Sequence, residues 1–296
     1  MNLVKEKFEA MRVAYNLAFR DTFDRSPTLY EKFSMIVGDQ GHTTVGFPFL
    51  EQIGAMRKWV GAREVKNLSG RMLTLTEDAY EETIGINVRE LESDNWGVYL
   101  PAIQQMAASG KALFDKLAVN ALLDAGNWLD GAAFFGTTRK YGKSTISNKT
   151  TSALSAETFR TARQTMMAYC GHDGEPLAVV PDTLMVGPAQ EFTARAILEN
   201  VYEIDASGKV TVGNDCKGLA TVLVNPRITD NKWFLMACGG PIKPVVVQKS
   251  KETGLVSKNR PEDDGVFLEG QALFGVAAYG SAAAAFPHLV YGGIVA

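Results

Sequence analysis

Apolar residues recur every three or four positions through residues 96–126, WGVYLPAIQQMAASGKALFDKLAVNALLDAG. Tyr99, Ile103, Met106, Gly110, Leu113, Leu117 and Ala121 share one face, and Leu100, Phe114 and Leu122 widen it. Gln104, Gln105, Lys111, Asp115 and Asn120 fall mostly off that face. The spacing predicts an amphipathic helix over 97–125. At about 1.5 Å per residue it would be roughly 40 Å long, enough to act as a spine. Ser93 or Asp94 is placed to cap its start, Pro101 is tolerated in its first turn, and Gly126 is a stop signal. The small residues Ala107, Ala108, Ser109 and Gly110 mark a place for close approach or a bend.

The same spacing gives a helix over 3–23, with Val4, Phe8, Met11, Tyr15, Ala18 and Phe19 on one side, and a short helical piece over 28–37. The first helix either docks on something else or packs on its own domain; periodicity does not choose. Residues 38–54 carry Gly38, Gly41, Gly46, Pro48 and Gly54 and should be extended or irregular. Period-two alternation then marks strands at 72–76 and 83–89, with Ile84, Ile86 and Val88 on one side. Asn67, Ser69 and Gly70 make a plausible hairpin tip. A polar, glycine-bearing link covers 131–155. From Ser155 the pattern is α/β: a helix with Phe159, Ala162, Met166 and Tyr169 inward, buried strands at 176–180 and 183–186, and a helix over 189–198 opened by Pro188. A polar insertion over 199–218 is either a mobile loop or a small hairpin. Strands follow at 219–224 and 232–237. Residues 241–248 read as an edge strand because of Pro241 and Pro244. Residues 249–265 read as a charged loop, and 266–285, rich in glycine and alanine, as an extended strand.

Composition narrows the class. With 296 residues, 46% hydrophobic, the chain can bury a large core, and a net charge of −3 leaves no global basic footprint for nucleic acid. Three cysteines without CxxC spacing, Cys170, Cys216 and Cys238, argue against a disulfide framework. Residues 1–23 lack the pattern of a signal peptide, and no stretch approaches a membrane span.

Charge along the predicted hairpin is uneven. Arg57, Lys58, Arg63, Lys66 and Arg71 come first, and Glu77, Asp78, Glu81 and Glu82 later. The two limbs could pair with each other or with a neighbouring molecule, setting register and partner choice. Exposed pairs are worth only about 0–1 kcal/mol each. So long a hairpin with so few large apolar residues would be marginal alone. Arg139, Lys140, Lys143 and Lys149 in the 131–155 link suit either a surface facing nucleic acid or a solvated loop.

Catalytic candidates are thin. Cys170 and His172 lie at a helix end, and His42 and His288 have no i, i+4 partner. Ser281 lacks the second glycine of a nucleophile elbow. Lys217 in GNDCKG lacks phosphate-loop spacing, and Glu262, Asp263 and Asp264 read as a solvated loop. No constellation forms. The chain reads as a structural or assembly protein, not an enzyme, with no cofactor and no metal.

The order of parts resembles the tailed-phage major capsid proteins of the Hong Kong 97-type fold. Residues 56–65, MRKWVGAREV, are similar to the MREWVGxREV segment of Mu-like phage major head subunits. Tyr80-Glu81-Glu82-Thr83-Ile84 with Val88-Arg89, then Leu91-Glu92-Ser93-Asp94 and Gly97-Val98-Tyr99, resemble a second run of that family. Val179-Val180-Pro181 ahead of a Gly-Pro-initiated helix, Lys243 to Gln248, and Gly275 to Tyr279 match as well. The motifs are individually weak; their collinear order is specific.

The resemblance implies an α+β, Hong Kong 97-like fold. It would have an N-terminal arm (1–45), an extended hairpin loop (46–85) and a peripheral domain with the spine helix (86–150). An axial domain (151–240) would follow, then return strands with a C-terminal segment (241–296). It implies a major capsid protein that self-assembles into the icosahedral head of a Mu-like phage and encloses double-stranded DNA. The alternative is an encapsulin-like shell around protein cargo. Expected partners are copies of itself in hexamers and pentamers, DNA held non-specifically on the inner face, a separate scaffold protein, a portal and a decoration protein, with no membrane. Its place would be the virion, after assembly in the host cytoplasm. Expected inter-subunit contacts are Arg57, Lys58, Trp59, Arg63, Lys66 and Arg71 against Glu77, Glu81, Glu82, Glu90 and Glu92. Residues 38–54 and 131–155 are candidate hinges.

Overall fold

The computed structural model describes residues 2–38, 43–48, 72–92, 96–141, 144–171, 174–204, 211–260 and 262–295. Helix α1 (Asn2–Arg25) buries Phe8, Met11, Tyr15 and Phe19, the face its spacing predicts. It packs on its own chain, against the spine helix, which decides between the two readings of this segment. The predicted helical piece at 28–37 divides into α2 (Tyr30–Phe33) and strand β1 (Ser34–Val37). Strands β2 (Thr44–Pro48) and β3 (Met72–Thr76) pair antiparallel, Thr44 opposite Thr76 and Pro48 opposite Met72. Strand β4 (Asp78–Asn87) starts two residues after β3 ends, and α3 (Val88–Glu92) follows it.

The spine helix is α4 (Leu100–Leu123), entered through a 3-10 turn at Trp96–Tyr99. Its N-cap is Tyr99, without a side-chain cap, and Pro101 sits in the first turn, where its missing N–H costs nothing. The predicted caps Ser93 and Asp94 lie outside the described residues. The buried face runs Ile103, Met106 and Ala107, then Phe114, Ala118, Val119 and Leu122. Leu113, Leu117 and Ala121 are only partly buried. The face turns because the helix leaves one apolar cluster, shared with α1, and enters another, shared with α2 and the strands beyond. The turn falls near Gly110, where a Cβ would come within 3.0 Å of Thr253 Cγ2; the glycine marks a close approach.

Strands β5 (Arg139–Tyr141), β6 (Ser144–Ile146) and β7 (Lys149–Thr150) occupy the predicted polar link. That link is packed. Asn148 is fully buried and donates to Phe134 O and Pro287 O, both at 3.1 Å, while accepting from Gly136 N at 2.9 Å. Arg139, expected at the surface, is buried. It pairs with Asp130, donates to the Ala133 carbonyl at 2.6 Å and lies 4.8 Å from the Trp128 ring centre.

Helix α5 (Ala156–Met167) begins at the predicted cap: Ser155 Oγ accepts from Thr158 N, and Thr158 Oγ1 accepts from Ser155 N. The expected strand at 176–180 does not form. Pro176 makes one isolated bridge to Cys170, and Ala178 takes a left-handed φ of 53°, which ends any extended run. Strand β8 (Thr183–Val186) and helix α6 (Glu191–Glu199) match expectation. The polar insertion holds a small hairpin, β9 (Tyr202–Ile204) with β10 (Thr211–Gly213). Strands β11 (Thr221–Val224) and β12 (Trp233–Met236) complete this part.

Strand β13 (Val245–Lys258) runs through the predicted charged loop, and it is central, not an edge. Pro241 and Pro244 precede it, so its ladder lacks no N–H. Register shifts between Lys249 and Gly254 change which side chains face inward, and this hid the strand from period-two reading. Helix α7 (Asp264–Glu269) and strand β14 (Gln271–Ala284) replace the single extended segment expected over 266–285. Asp263 before α7 and left-handed Gly270 after it are its start and stop signals. Strand β15 (Val290–Gly293) is buried throughout.

Two larger sheets result. One has the order β1-β13-β14-β4, with β1 parallel to β13 and the rest antiparallel. Helix α4 crosses β13 and β14, as its apolar face requires. The other has the order β11-β8-β12-β15-β7. The C-terminal strand β15 lies in its interior, which accounts for the apolar character of the last residues.

Candidate assembly interface

Of the expected contact residues, Arg57, Lys58, Trp59, Arg63, Lys66 and Arg71 lie outside the described residues. Glu92 closes α3, and its side chain is likewise outside the description. Glu90 is exposed on α3. Glu77 joins β3 to β4, and its backbone N–H donates to Thr43 O. Its Oε2 is occluded from solvent with no hydrogen-bond partner. Glu81 and Glu82 stand in β4 opposite Ala277 and Val276 of β14. The acidic run therefore belongs to the four-stranded sheet, whereas β3 pairs with β2. Sequence reading had placed both on one hairpin. Among the described residues, no strand pairs with the outer side of β4, so its acids line a sheet edge.

Period two divides the β4 side chains. Tyr80, Glu82, Ile84 and Ile86 are the more buried set; Glu81, Thr83, Gly85 and Asn87 are exposed. Ile84 and Ile86 are covered by α1 and the first half of α4. At the other end of the strand a groove of about 340 Å³ lies between β4 and the middle of α4. Glu81 and Glu82 line one part of it, and Lys116 and Arg227 another. Arg227 donates to Ala112 O of α4 at 3.4 Å. Thr253 of β13 also lines it; that residue is buried, and its Oγ1 has no hydrogen-bond partner.

Sequence reading missed the outward apolar residues. Val13 and Leu17 on α1, Phe192 on α6, and Phe267 and Leu268 on α7 are all more than half exposed. On α1 a Val13–Leu17 pair opposite the core face was readable from spacing; Phe192 left no periodic signal. The segment joining α1 to α2 is tied to the spine: Leu29 N and Tyr30 N both donate to Asp115 Oδ1, at 2.8 and 2.6 Å.

The catalytic candidates are not brought together. Ser281 Oγ contacts Gln248 Oε1 within the sheet. His288 is buried between Tyr141 and Phe286, and burial pushes its pKa down to about 4. Burial raises the Cys238 thiol to about 12. Asp263 accepts from Arg260 N and closes a turn. His42 and His172 lie outside the described residues. Among the described residues no group of three or more His, Cys, Asp or Glu could hold a metal, and no helix is long and apolar enough to cross a membrane.

The chain is 21% identical to the major capsid protein of Escherichia phage Mu over 277 residues, covering 93% of this chain and 69% of that protein. It is 20% identical to the Mu-like prophage FluMu major head subunit of Haemophilus influenzae, covering 78% of each. Among solved structures, the procapsid of bacteriophage JBD30 matches with a TM-score of 0.58 at 21% identity, over 96% of this chain and 73% of that one. The capsid of cyanophage P-SCSP1u matches with 0.58 at 12% identity, over 90% and 88%. A virus-like particle from Pyrococcus furiosus matches with 0.56 at 12% identity, over 94% and 97%. These structures establish the phage-capsid, Hong Kong 97-like fold. The sequence pattern of the Mu-like prophage major head subunit gpT matches residues 8–153, 141–228 and 226–294. The chain thus belongs to the Mu-like prophage major head subunit family, the structural major capsid proteins of tailed phages.

Proposed function

We propose that this subunit forms hexamers and pentamers that close into an icosahedral head around packaged double-stranded DNA. The observation that carries the reading is family membership over nearly the whole chain. The β2–β3 pair supports it, because the chain leaves this pair at Pro48 and re-enters at Met72, next to an acidic sheet edge. Within the 46–85 loop, the residues between β2 and β3 serve as the arm that reaches a neighbour. Residues 1–45 are the N-terminal arm, 86–150 and 241–296 the peripheral part, and 151–240 the axial part. Contacts within each ring are heterologous, one patch fitting a different patch next door. An arm enlarges that contact beyond a standard interface of about 1,600 Å². Arg57, Lys58, Arg63, Lys66 and Arg71 pair across subunits with Glu77, Glu81, Glu82, Glu90 and Glu92, with Trp59 packed among them. Scaffold, portal and decoration functions reside in separate proteins, and assembly takes place in the host cytoplasm.

Electron microscopy of the expressed chain tests this. Closed shells are expected, and a monodisperse monomer under all conditions would overturn it. Nucleic acid inside heads made in the host is expected; protein cargo would favour an encapsulin-like compartment. Arg63→Glu should cut particle yield while leaving the monomer folded, and wild-type yield from that variant would remove the ion-pair argument.

A further inference from the structure

We infer that the pocket between residues 132–138 and strand β7 is a binding site for a phosphate group, held by Arg139, Lys149 and the threonines beside them. The pocket has a volume of about 670 Å³, room for a phosphate with its ester groups. It lies in the segment whose cations read equally as a surface facing nucleic acid or as a solvated loop.

The lining is one-sided in charge. Arg139 and Lys149 line the pocket with Thr137, Thr138, Thr150 and Thr151, and no Asp or Glu is among its described lining residues. Asp130, the partner of Arg139, does not line it. Cationic N–H groups and hydroxyls that can turn to donate suit an oxyanion and disfavour a cation.

A second observation points to a ligand. The Arg139 side chain is 3% exposed. Its terminal nitrogens are taken: Nη1 donates to Asp130, and Nη2 to the carbonyls of Ala133 and Phe134. Its buried Nε–H has no hydrogen-bond partner. Buried donors are nearly always paired, and Arg139 lines the pocket, so the missing acceptor belongs there. Lys149 is half-buried, and among the described residues its ammonium has no ion pair.

The walls are fixed before anything binds. Asn148, next to Lys149, ties them together: Gly136 N donates to its Oδ1, and its own N–H donates to Gly136 O, both at 2.9 Å. The Arg139 guanidinium lies 4.8 Å from the Trp128 ring centre, and Phe135 packs on Gly292, where a Cβ would clash with its ring. A preformed site spends little on ordering when it binds.

Two sources offer this chemistry: the backbone of the enclosed DNA, which rests on the shell reading, and free phosphate, which does not. The test titrates inorganic phosphate into the unassembled full chain by calorimetry. Saturable binding at one site is expected. Lys149→Met should weaken it about tenfold or more, and Lys149→Arg should retain it. Lys140→Met removes an exposed cation of the same region that does not line the pocket, and should leave it unchanged. On the unmodified chain, phosphate should protect Lys149, and not Lys140, from amine acetylation read by mass spectrometry. Absence of saturable binding, equal losses from Lys140→Met and Lys149→Met, or equal acetylation of Lys149 with and without phosphate would overturn the inference. A short DNA duplex then separates the sources. Displacement of phosphate with protection of Lys149 assigns the site to a nucleic-acid phosphodiester; a duplex without effect assigns it to free phosphate. Because the subunit is measured unassembled, a failure to form shells sinks the shell reading and leaves the phosphate result standing.

Discussion

Asn148 offers the sharpest test of how the chain is held together, because it sits in a segment whose composition reads as a loose link. Replacing it with alanine removes three buried hydrogen bonds at once. Phe134 O and Pro287 O lose their donor, and Gly136 N loses its acceptor. The backbone bonds of Asn148, to Gly136 O and from Gly292 N, remain. Each side-chain bond contributes about 1–1.5 kcal/mol net, and groups left unpaired in a dry site push the cost upward. The bonds share one side chain and so do not add independently. A loss of about 3–5 kcal/mol is expected. For a chain of this size, about 2 °C of melting temperature is lost per kcal/mol, so the midpoint should fall by roughly 6–10 °C. The assay is thermal and denaturant unfolding of the unassembled subunit, followed by fluorescence and circular dichroism. Ser152→Ala, at an exposed position in the same region, serves as the control. A shift of less than 1 kcal/mol for Asn148→Ala would mean that the segment is not pinned, and would restore it as a candidate hinge.

Two further outcomes follow from buried positions. His288 has its pKa lowered to about 4 by burial, against 6.5 when solvated. The unfolded chain therefore takes up the proton first as pH falls, so stability is full above about 6.5 and declines down to about 4. The decline amounts to about 3 kcal/mol, and below pH 4 this group adds nothing more. Unfolding of the subunit at pH 7, 5.5 and 4.5 should show it, and His288→Phe, which keeps an aromatic ring against Tyr141 and Phe286, should flatten it; equal slopes would refute the assignment. Gly293→Ala drives a methyl into the Trp233 indole, which is fully buried, and should cost about 1–3 kcal/mol. Gly213→Ala, whose added methyl meets nothing, should stay within about 0.5 kcal/mol, and matching melts for the two would contradict the packing described.

Local signals sufficed wherever one element buries one regular face. The spine helix, α1, the Ser155 capping box and α5 were legible because 3.6-residue spacing and cap chemistry act within a few residues. So was the family, through motifs spread in order along the chain. The acidic run 77–82 was visible as charge, and with it half of the candidate interface. Its setting was not. Which strand those acids stand in, and that it forms a sheet edge, depends on β14, some two hundred residues later. The β13 strand was hidden for a related reason. Its bulges shift the inward register, and its neighbours on both sides, β1 and β14, supply the burial that its own lysines do not advertise. The polar link became a packed element through one asparagine reaching carbonyls 14 and 139 residues away. The core face of α1 and the Ser155 cap are set by residues near in sequence, and the sequence alone determined them; the turn of the α4 face at Gly110 was not. Sheet order, the burial of Arg139 and Asn148, and the groove beside β4 are set by contacts between distant segments, and only the tertiary structure decided them. Such pairings are chosen by the whole chain at once, through area buried and polar groups satisfied, and they leave no local period to read.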